Sequence, residues 1–311
     1  MTAPDIDDLF DGIVTLPDGD AERRYDGLVG LDDVKERLVK QARILLKPKT
    51  LAKWAKEHHG REELPLVEAV RDRPPLFIFA GDVGTGKTTL AETFGHAVAR
   101  AERLDGITLM RLSLSARGSG TVGEMTSLIT HAFAAVEQEA PPMGDGDPSN
   151  AIVLLMDEAD ALAQSREEAQ MHHEDRAGVN ALIRGIDSIA TERRPVITVL
   201  STNRLEALDP AIRRRAFDEI EFTRPTAEQR AAVLAKLFDG CEIAEADITR
   251  LAELTGPSGG RDYGFTYSDL TTRLASAVLL DAFPAEKVTA ERIEAMIGTV
   301  GATPPFSAGA S

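Results

Sequence analysis

The chain has 311 residues, with 51 acidic and 35 basic side chains and a formal net charge of −16. An apolar share of 43% with few aromatic residues is typical of a soluble globular protein, and this length predicts about two domains. Because proteins gain most of their affinity for nucleic acid from basic groups, the acidity argues against a duplex-binding surface. Cys241 is the only cysteine, which excludes an intramolecular disulfide and a cysteine-based metal site.

The composition of the first residues does not predict a targeting signal. Residues 1–24 are rich in Asp, Gly and Pro, and this composition predicts an acidic N-terminal arm, not a domain. A signal peptide would begin with basic residues, and no apolar run reaches the length of a membrane span. We therefore expect a cytoplasmic protein that does not enter a membrane.

Strands and helices alternate along the middle of the chain. After a helical pattern from residue 32 to about 47, apolar runs predict strands at 76–80, 107–112, 152–156, 196–201 and 219–222. Helical patterns lie between them, at 88–103, 125–139, 176–189 and 210–215. This alternation predicts a mainly parallel α/β sheet that binds ligands at the carboxyl ends of its strands.

The strand signal stops at Pro225. We therefore predict an α/β domain over residues 25–225, a smaller helical domain over 226–300 and a flexible tail over 301–311.

A phosphate loop is predicted between the strand at 76–80 and the helix that follows. Residues 81–89 read GDVGTGKTT and match G-x-x-x-x-G-K-[ST], a loop that turns backbone N–H groups toward phosphate oxygens. Lys87 is expected at the β- and γ-phosphates, and the Thr88 hydroxyl at Mg²⁺. The predicted nucleotide-binding residues are Asp82, Val83, Gly84, Thr85, Gly86, Lys87, Thr88 and Thr89.

Polar residues follow two other predicted strands. Asp157 is expected to hold the Mg²⁺ shell through water and Glu158 to polarise the attacking water, although such a carboxylate pair can also cap a helix. Asn203 follows the strand at 196–201. Its amide is predicted to bond the γ-phosphate or the lytic water, with a turn residue as the alternative.

Three consecutive arginines occur in the segment LDPAIRRRAFD. We predict that Arg214 and Arg215, and less strongly Arg213, reach the nucleotide of a neighbouring subunit. An arginine that acts in trans on the γ-phosphate is typically worth about 10³–10⁵ in rate. A solvated basic face is the alternative. If the trans role holds, the protein works as a ring.

These motifs, in this order, resemble an AAA+ ATPase with the second region of homology. The resemblance is carried by YDGLVGLDDVKERL from residue 25, DEADALAQSR, RAGVNALIRGID, STNRLEALDPAIRRRAFDEIEF and GFTYSDL from residue 264. It implies a five-stranded parallel α/β domain with an all-α lid, ATP as the nucleotide and usually a hexamer. It also makes Val29 and Gly30 candidate adenine contacts.

Within AAA+, the segments VNALIRGIDSI, VLSTN and LDPAIRRRAFDEIEFTRPT are similar to the pachytene-checkpoint ATPases, which remodel HORMA-domain proteins. Relatives without a folded N-terminal domain occur in bacteria, beside HORMA proteins and a second-messenger synthase in antiphage defence. The short arm fits that subset, so the resemblance implies a HORMA-domain protein as the substrate.

The chain departs from the family pattern in two places. Thr121, Val122 and Gly123 lie where such motors carry an aromatic–aliphatic–glycine pore loop, and Thr121 offers little apolar area to grip a substrate. Asp269 stands where some AAA+ groups have a nucleotide-sensing arginine, with Arg273 one turn later as an alternative.

The leading hypothesis is thus ATP-driven remodelling of a protein. A nucleic-acid-directed motor or loader is one alternative, against which the acidic composition counts. A nucleotide-switched binding scaffold that hydrolyses slowly is the other, with mild support from the missing pore aromatic.

Overall fold

The structure is a computed structural model that describes residues 6–114, 124–144, 146–164, 172–258 and 261–306. These residues fall into two compact units. The first unit takes the described residues of 1–27 together with 33–80 and 88–221, and the second takes 28–32, 81–87 and the described residues from 222 onward.

The first unit is built on a mixed sheet. Its strands, among the described residues, are β1 Gly12–Leu16, β2 Leu76–Gly81, β3 Gly106–Ser113, β4 Asn150–Asp157, β5 Val196–Thr202 and β6 Asp218–Phe222. Their order is β1-β3-β4-β5-β2-β6. The β3–β4, β4–β5 and β2–β5 pairs are parallel, whereas β1 runs antiparallel to β3. The predicted α/β class is confirmed. The prediction of five parallel strands differs from the structure in two ways: the described residues form six strands, and β1 is antiparallel to its neighbour.

The additional strand lies in the segment that the composition assigns to an arm. β1 is an edge strand of which only Leu16 is buried, so it lacks the continuous apolar run by which the other strands are recognised. Leu9 and Phe10, just before it, are buried in the core of the first unit.

The inner strands are apolar because both faces of the sheet are covered. All seven residues of β5 are buried, and so are the first five of β2. Parallel strands covered on both faces have this continuous hydrophobic pattern. Their regular register brings the carboxyl ends of β2, β4 and β5 to one edge of the sheet.

Helices surround this sheet. They are α1 Ile6–Leu9, α2 Gly19–Gly27, α3 Asp32–Leu46, α4 Pro48–His59, α5 Pro65–Arg71, α6 Lys87–Glu102, α7 Glu124–Glu139, α8 Ala161–Gln164, α9 His172–Thr191 and α10 Pro210–Arg213. A 3₁₀ turn, Leu205–Ala207, precedes α10.

The second unit has its own helical core. Its helices are α11 Ala227–Leu237, α12 Glu245–Leu254, α13 Ala275–Ala282 and α14 Ala290–Val300, with a π-helical turn at Asp269–Leu274 that runs into α13. A capping box between Thr226 and Gln229 fixes the start of α11. Leu234, Leu251, Phe265, Leu270 and Ile293 are among the side chains buried at its centre.

None of the helices in the described ranges combines the length and the apolar content that a bilayer span requires.

A close helix contact in the first unit gives a stability prediction. Gly185 of α9 faces Phe133 of α7, and a Cβ built at Gly185 would lie only 2.2 Å from the Phe133 ring. We expect Gly185→Ala to destabilise the protein by about 1–3 kcal/mol, because overpacking displaces the ring. Thermal unfolding followed by circular dichroism measures the change.

Gly298 in α14 is the matched control. A Cβ at Gly298 meets no atom within 4 Å, so Gly298→Ala should stabilise its helix by about 0.5–1 kcal/mol. Equal effects of the two substitutions would contradict the packing of α7 against α9.

Candidate functional site

The phosphate loop has a backbone that only glycine adopts easily. Gly81, Gly84 and Gly86 have φ values of +148°, +73° and +98°. A Cβ at Gly81 would lie 2.0 Å from the carbonyl oxygen of Phe222, and a Cβ at Gly84 would lie 2.7 Å from Thr266 Oγ1. The loop therefore needs glycine for its conformation and for its close packing.

Lys87 lies across this loop. Its ammonium donates to the carbonyl oxygens of Gly81 (2.9 Å) and Asp82 (2.7 Å), and its side chain is buried. The Thr85 hydroxyl also donates to the Asp82 carbonyl, at 2.7 Å. The lysine thus places a positive charge at the loop, as phosphate binding requires.

The side-chain carboxylate of Asp82 accepts a separate set of hydrogen bonds from those of its backbone carbonyl. It accepts hydrogen bonds from Val83 N (2.8 Å), Arg224 Nε (2.8 Å) and Phe306 N (3.0 Å). Burial alone would raise the pKa of Asp82, but the Phe306 N–H and the Arg224 guanidinium outweigh it and hold the pKa below its usual value. The carboxylate therefore stays ionised, with its charge compensated by Arg224.

In the first unit, Asp157 of the acid pair contacts Thr88, the second residue of α6. The Thr88 hydroxyl donates to Asp157 Oδ2 at 3.0 Å, and the Glu158 N–H donates to Asp157 Oδ1 at 2.9 Å. Ala159 N bonds the Ser201 carbonyl at 2.8 Å, which ties the turn after β4 to β5. A hydroxyl and a carboxylate held together are oxygen ligands of the kind that Mg²⁺ takes.

Glu158 has an unusual backbone. Its φ is +56°, in the left-handed region that side chains other than glycine rarely adopt, and its side chain is exposed. Such conformations concentrate at functional sites. Its exposed position fits a residue that acts on water.

Asn203 lies where the sequence places it, directly after β5, and is half-buried. The residue before it, Thr202, is buried; its hydroxyl accepts from Arg204 N (3.0 Å) and bonds Asp160 Oδ1 (3.3 Å). These bonds fix the backbone on both sides of Asn203.

The three arginines are in different environments. Arg215 forms a two-point ion pair with Asp187 (2.8 and 3.0 Å), and Arg213 forms one with Glu219 (3.1 and 2.8 Å). Arg214 is exposed, and no hydrogen bond or ion pair of its side chain occurs within the described part of the chain. Of these three arginines, Arg214 is therefore the one most available to another molecule.

The candidate adenine contacts belong to the second unit. Val29 packs against its helical core, and the Gly30 carbonyl accepts a hydrogen bond from Gln229 Nε2 at 2.9 Å. Gly30 has φ +75°, and a Cβ there would overlap the Gln229 side chain. Their role toward adenine remains a prediction.

Asp269 and Arg273 contact each other. Asp269 is buried and accepts from Arg273 Nη1 at 2.7 Å, and Arg273 also donates to the Val300 carbonyl at 2.9 Å. Burial alone would raise the pKa of Asp269, but the Thr303 hydroxyl and N–H and the Thr266 N–H hold it below the usual value. Both residues thus stabilise the second unit's own structure.

Sequence reasoning missed Arg224 and the Asp160–Thr202 pair. Arg224 stands alone before Pro225, and no spacing marks it as a partner of a loop 142 residues earlier. Asp160 is recognisable in the sequence as the last acidic residue of the segment DEAD, but its hydrogen bond with the buried Thr202 is not. Thr121, Val122 and Gly123, the predicted pore loop, lie outside the described residues.

Comparison with known proteins places these motifs in a family. The model of the ATPase family associated with various cellular activities (AAA) matches residues 77–224. CD-NTase-associated protein 6 of Escherichia coli strain MS 115-1 is 46% identical over 305 residues, which cover 97% of each chain.

Two solved structures agree over nearly the whole length. A chain of the E. coli MS115-1 HORMA:CdnC:Trip13 complex matches with a TM-score of 0.88 and 45% identity, over 98% of this chain and 100% of that one. Trip13 from Rhizobiales matches with a TM-score of 0.72 and 40% identity, over 95% and 100% of the two chains.

These relatives confirm the family that the motifs predict, together with its nucleotide-binding character. The chain belongs to the AAA ATPase family, in the group of CD-NTase-associated protein 6 and Trip13.

Proposed function

We propose that the protein is an ATP-hydrolysing ring, expected to be a hexamer, that remodels a HORMA-domain protein. We place it in the cytoplasm, within a bacterial antiphage signalling system. One relative of known structure that matches over its full length comes from a HORMA:CdnC:Trip13 complex, which supports a HORMA-domain protein as the partner here.

The observation that carries the proposal is the hydrogen bond between Thr88 and Asp157. Thr88 directly follows Lys87, and Asp157 directly precedes Glu158. This contact therefore supports a shared metal-binding role for Thr88 and Asp157, which come from two motifs 69 positions apart. The Thr88 hydroxyl and the Asp157 carboxylate would hold Mg²⁺, which when bound neutralises charge on the β- and γ-phosphates.

The protein's own residues bind the phosphates, orient the attacking water and accept its proton. Lys87 and the loop N–H groups bind the phosphates, and Asn203 orients the attacking water. The Glu158 carboxylate accepts the proton of that water as it attacks, a general-base role worth about 10²–10⁴ in rate.

Arg214 completes the site from a neighbouring subunit. Its exposed side chain can extend to a second molecule, while Arg215 is held by Asp187 within its own subunit. We assign Arg214 the principal contact with the γ-phosphate and Arg215 a supporting one. Hydrolysis then depends on assembly, which links ATP turnover to movement of subunits in the ring.

We predict that Glu158→Gln binds ATP normally and hydrolyses it about 10²–10⁴-fold more slowly, because the amide cannot take the proton. Lys87→Ala should instead lose nucleotide affinity. Calorimetry with ATP and a phosphate-release assay separate the two effects.

Glu63→Gln is the matched control, since Glu63 is exposed and distant in sequence from the motifs. With ATP present, the Glu158→Gln protein should also retain its HORMA-domain partner in a pull-down from the native host, whereas the control should not. Normal hydrolysis by Glu158→Gln would contradict the mechanism, and co-purification of DNA in place of protein would contradict the proposed substrate.

We predict that Arg214→Ala binds ATP normally but turns over about 10³-fold or more slowly, the typical value of a trans arginine. Lys87→Ala subunits retain the arginine, and Arg214→Ala subunits retain the nucleotide-binding residues. Mixing the two inactive variants should therefore restore part of the turnover.

Arg23→Ala serves as the control and should be fully active, since this exposed arginine forms its ion pair, among the described residues, with Asp20. If the mixture stays inactive although mixed oligomers form, Arg214 does not act on a neighbour's nucleotide.

A further inference from the structure

The segment after α14, residues 301–306, is held in place by specific hydrogen bonds. The sequence predicts a flexible tail from residue 301, but Thr303 N donates to Asp269 Oδ2 at 3.0 Å and the Thr303 carbonyl accepts from Arg224 Nη1 at 2.8 Å. Phe306 N donates to Asp82 Oδ1 at 3.0 Å. We call residues 301–306 the strap.

Asp269 anchors the strap from inside the second unit. Its side chain is 1% exposed, and besides Thr303 it accepts from Thr266 N at 3.0 Å and from Arg273 at 2.7 Å. A buried carboxylate is stable only when its oxygens are hydrogen-bonded. The strap supplies two of those donors, so its position is specified by the core.

Arg224 joins the strap to the phosphate loop. One guanidinium bonds Asp82 through Nε and bonds both the Gly264 carbonyl (2.6 Å) and the Thr303 carbonyl through Nη1. Its charge centre also lies 5.0 Å from the centroid of the Tyr263 ring. The planar guanidinium fixes these groups relative to one another, and a lysine could not make the same set of bonds.

Asp82 connects this network to the part of the loop that would bind phosphate. Its carboxylate accepts from the strap and from Arg224, while its carbonyl accepts from Lys87 Nζ and Thr85 Oγ1. An uncompensated carboxylate in the loop would repel phosphate. Removal of the strap's N–H would weaken both the charge compensation and the hold on the loop.

We propose that Asp82 is a positioning residue for the nucleotide, and that the strap acts through it to raise the affinity of the phosphate loop for nucleotide. This inference rests on the proposed function and deepens its nucleotide binding by assigning roles to the strap, to Arg224 and to the carboxylate of Asp82. By the reciprocity of linked equilibria, bound nucleotide also holds the strap more firmly.

Replacement of Phe306 tests the contribution of one hydrogen-bond donor, the backbone N–H of Phe306. Phe306→Pro removes the N–H that bonds Asp82, and Phe306→Ala removes the half-exposed ring but keeps the N–H. We expect Phe306→Pro to weaken ADP binding, measured by calorimetry, by about tenfold, the effect of one lost hydrogen bond to a charged group. Phe306→Ala should change it by less than about twofold.

A double-mutant cycle distinguishes positioning from a general loss of structure. In a chain that carries Asp82→Ala, Phe306→Pro should have no further effect on ADP affinity, because its partner is gone. A shortened chain that ends at residue 300 should bind ADP at least as weakly as Phe306→Pro, and one that ends at residue 306 should bind normally. Thermal unfolding of each variant identifies any that fail to fold.

Equal ADP affinities of Phe306→Pro and Phe306→Ala would overturn the proposal, as would a full effect of Phe306→Pro in the Asp82→Ala chain. If the unaltered chain itself does not bind ADP, the proposed nucleotide-binding function fails, and the role of the strap fails with it.

Discussion

The hydrogen bond between Thr88 and Asp157 is the contact on which the proposed chemistry depends. It forms because β4, β5 and β2 lie side by side and parallel, so that residues at the ends of β4 and β2 reach the same edge of the sheet. β5 is buried throughout and β2 over its first five residues, so both strands are covered on their two faces. The backbone at Glu158, the residue proposed to activate water, is held in the left-handed region directly after the end of β4.

Charge compensation is the second constraint. A chain with a net charge of −16 must bind a polyanion, so the positive groups near its phosphate loop have a large effect. Lys87 lies on the loop, and Arg224 neutralises the acidic residue within it. Acidity of the whole chain and affinity for a nucleotide are therefore compatible, since the compensation is local.

The sequence predicts well what depends on local pattern. The inner strands, the phosphate loop and the acid pair are all recognisable because buried strands need continuous apolar runs and phosphate loops need glycine at fixed places. β1 was not recognisable, since an edge strand with one buried residue has no such pattern. The strap was not predicted for a different reason. A run rich in Gly, Pro and Ser resembles a flexible tail, and the residues that the strap contacts, Asp82, Arg224 and Asp269, are distant from it in sequence. The pairing of Arg215 with Asp187, which distinguishes it from Arg214, also depends on tertiary structure alone.

In the proposed function, ATP hydrolysis is coupled to the remodelling of a protein substrate. The most direct test is the steady-state rate of ATP hydrolysis by the purified protein, titrated separately with the HORMA-domain protein of its native host and with duplex DNA. We expect the HORMA-domain protein to raise the rate in a saturable manner and DNA to leave the rate unchanged. Stimulation by DNA, or a rate that neither partner changes, would contradict this coupling.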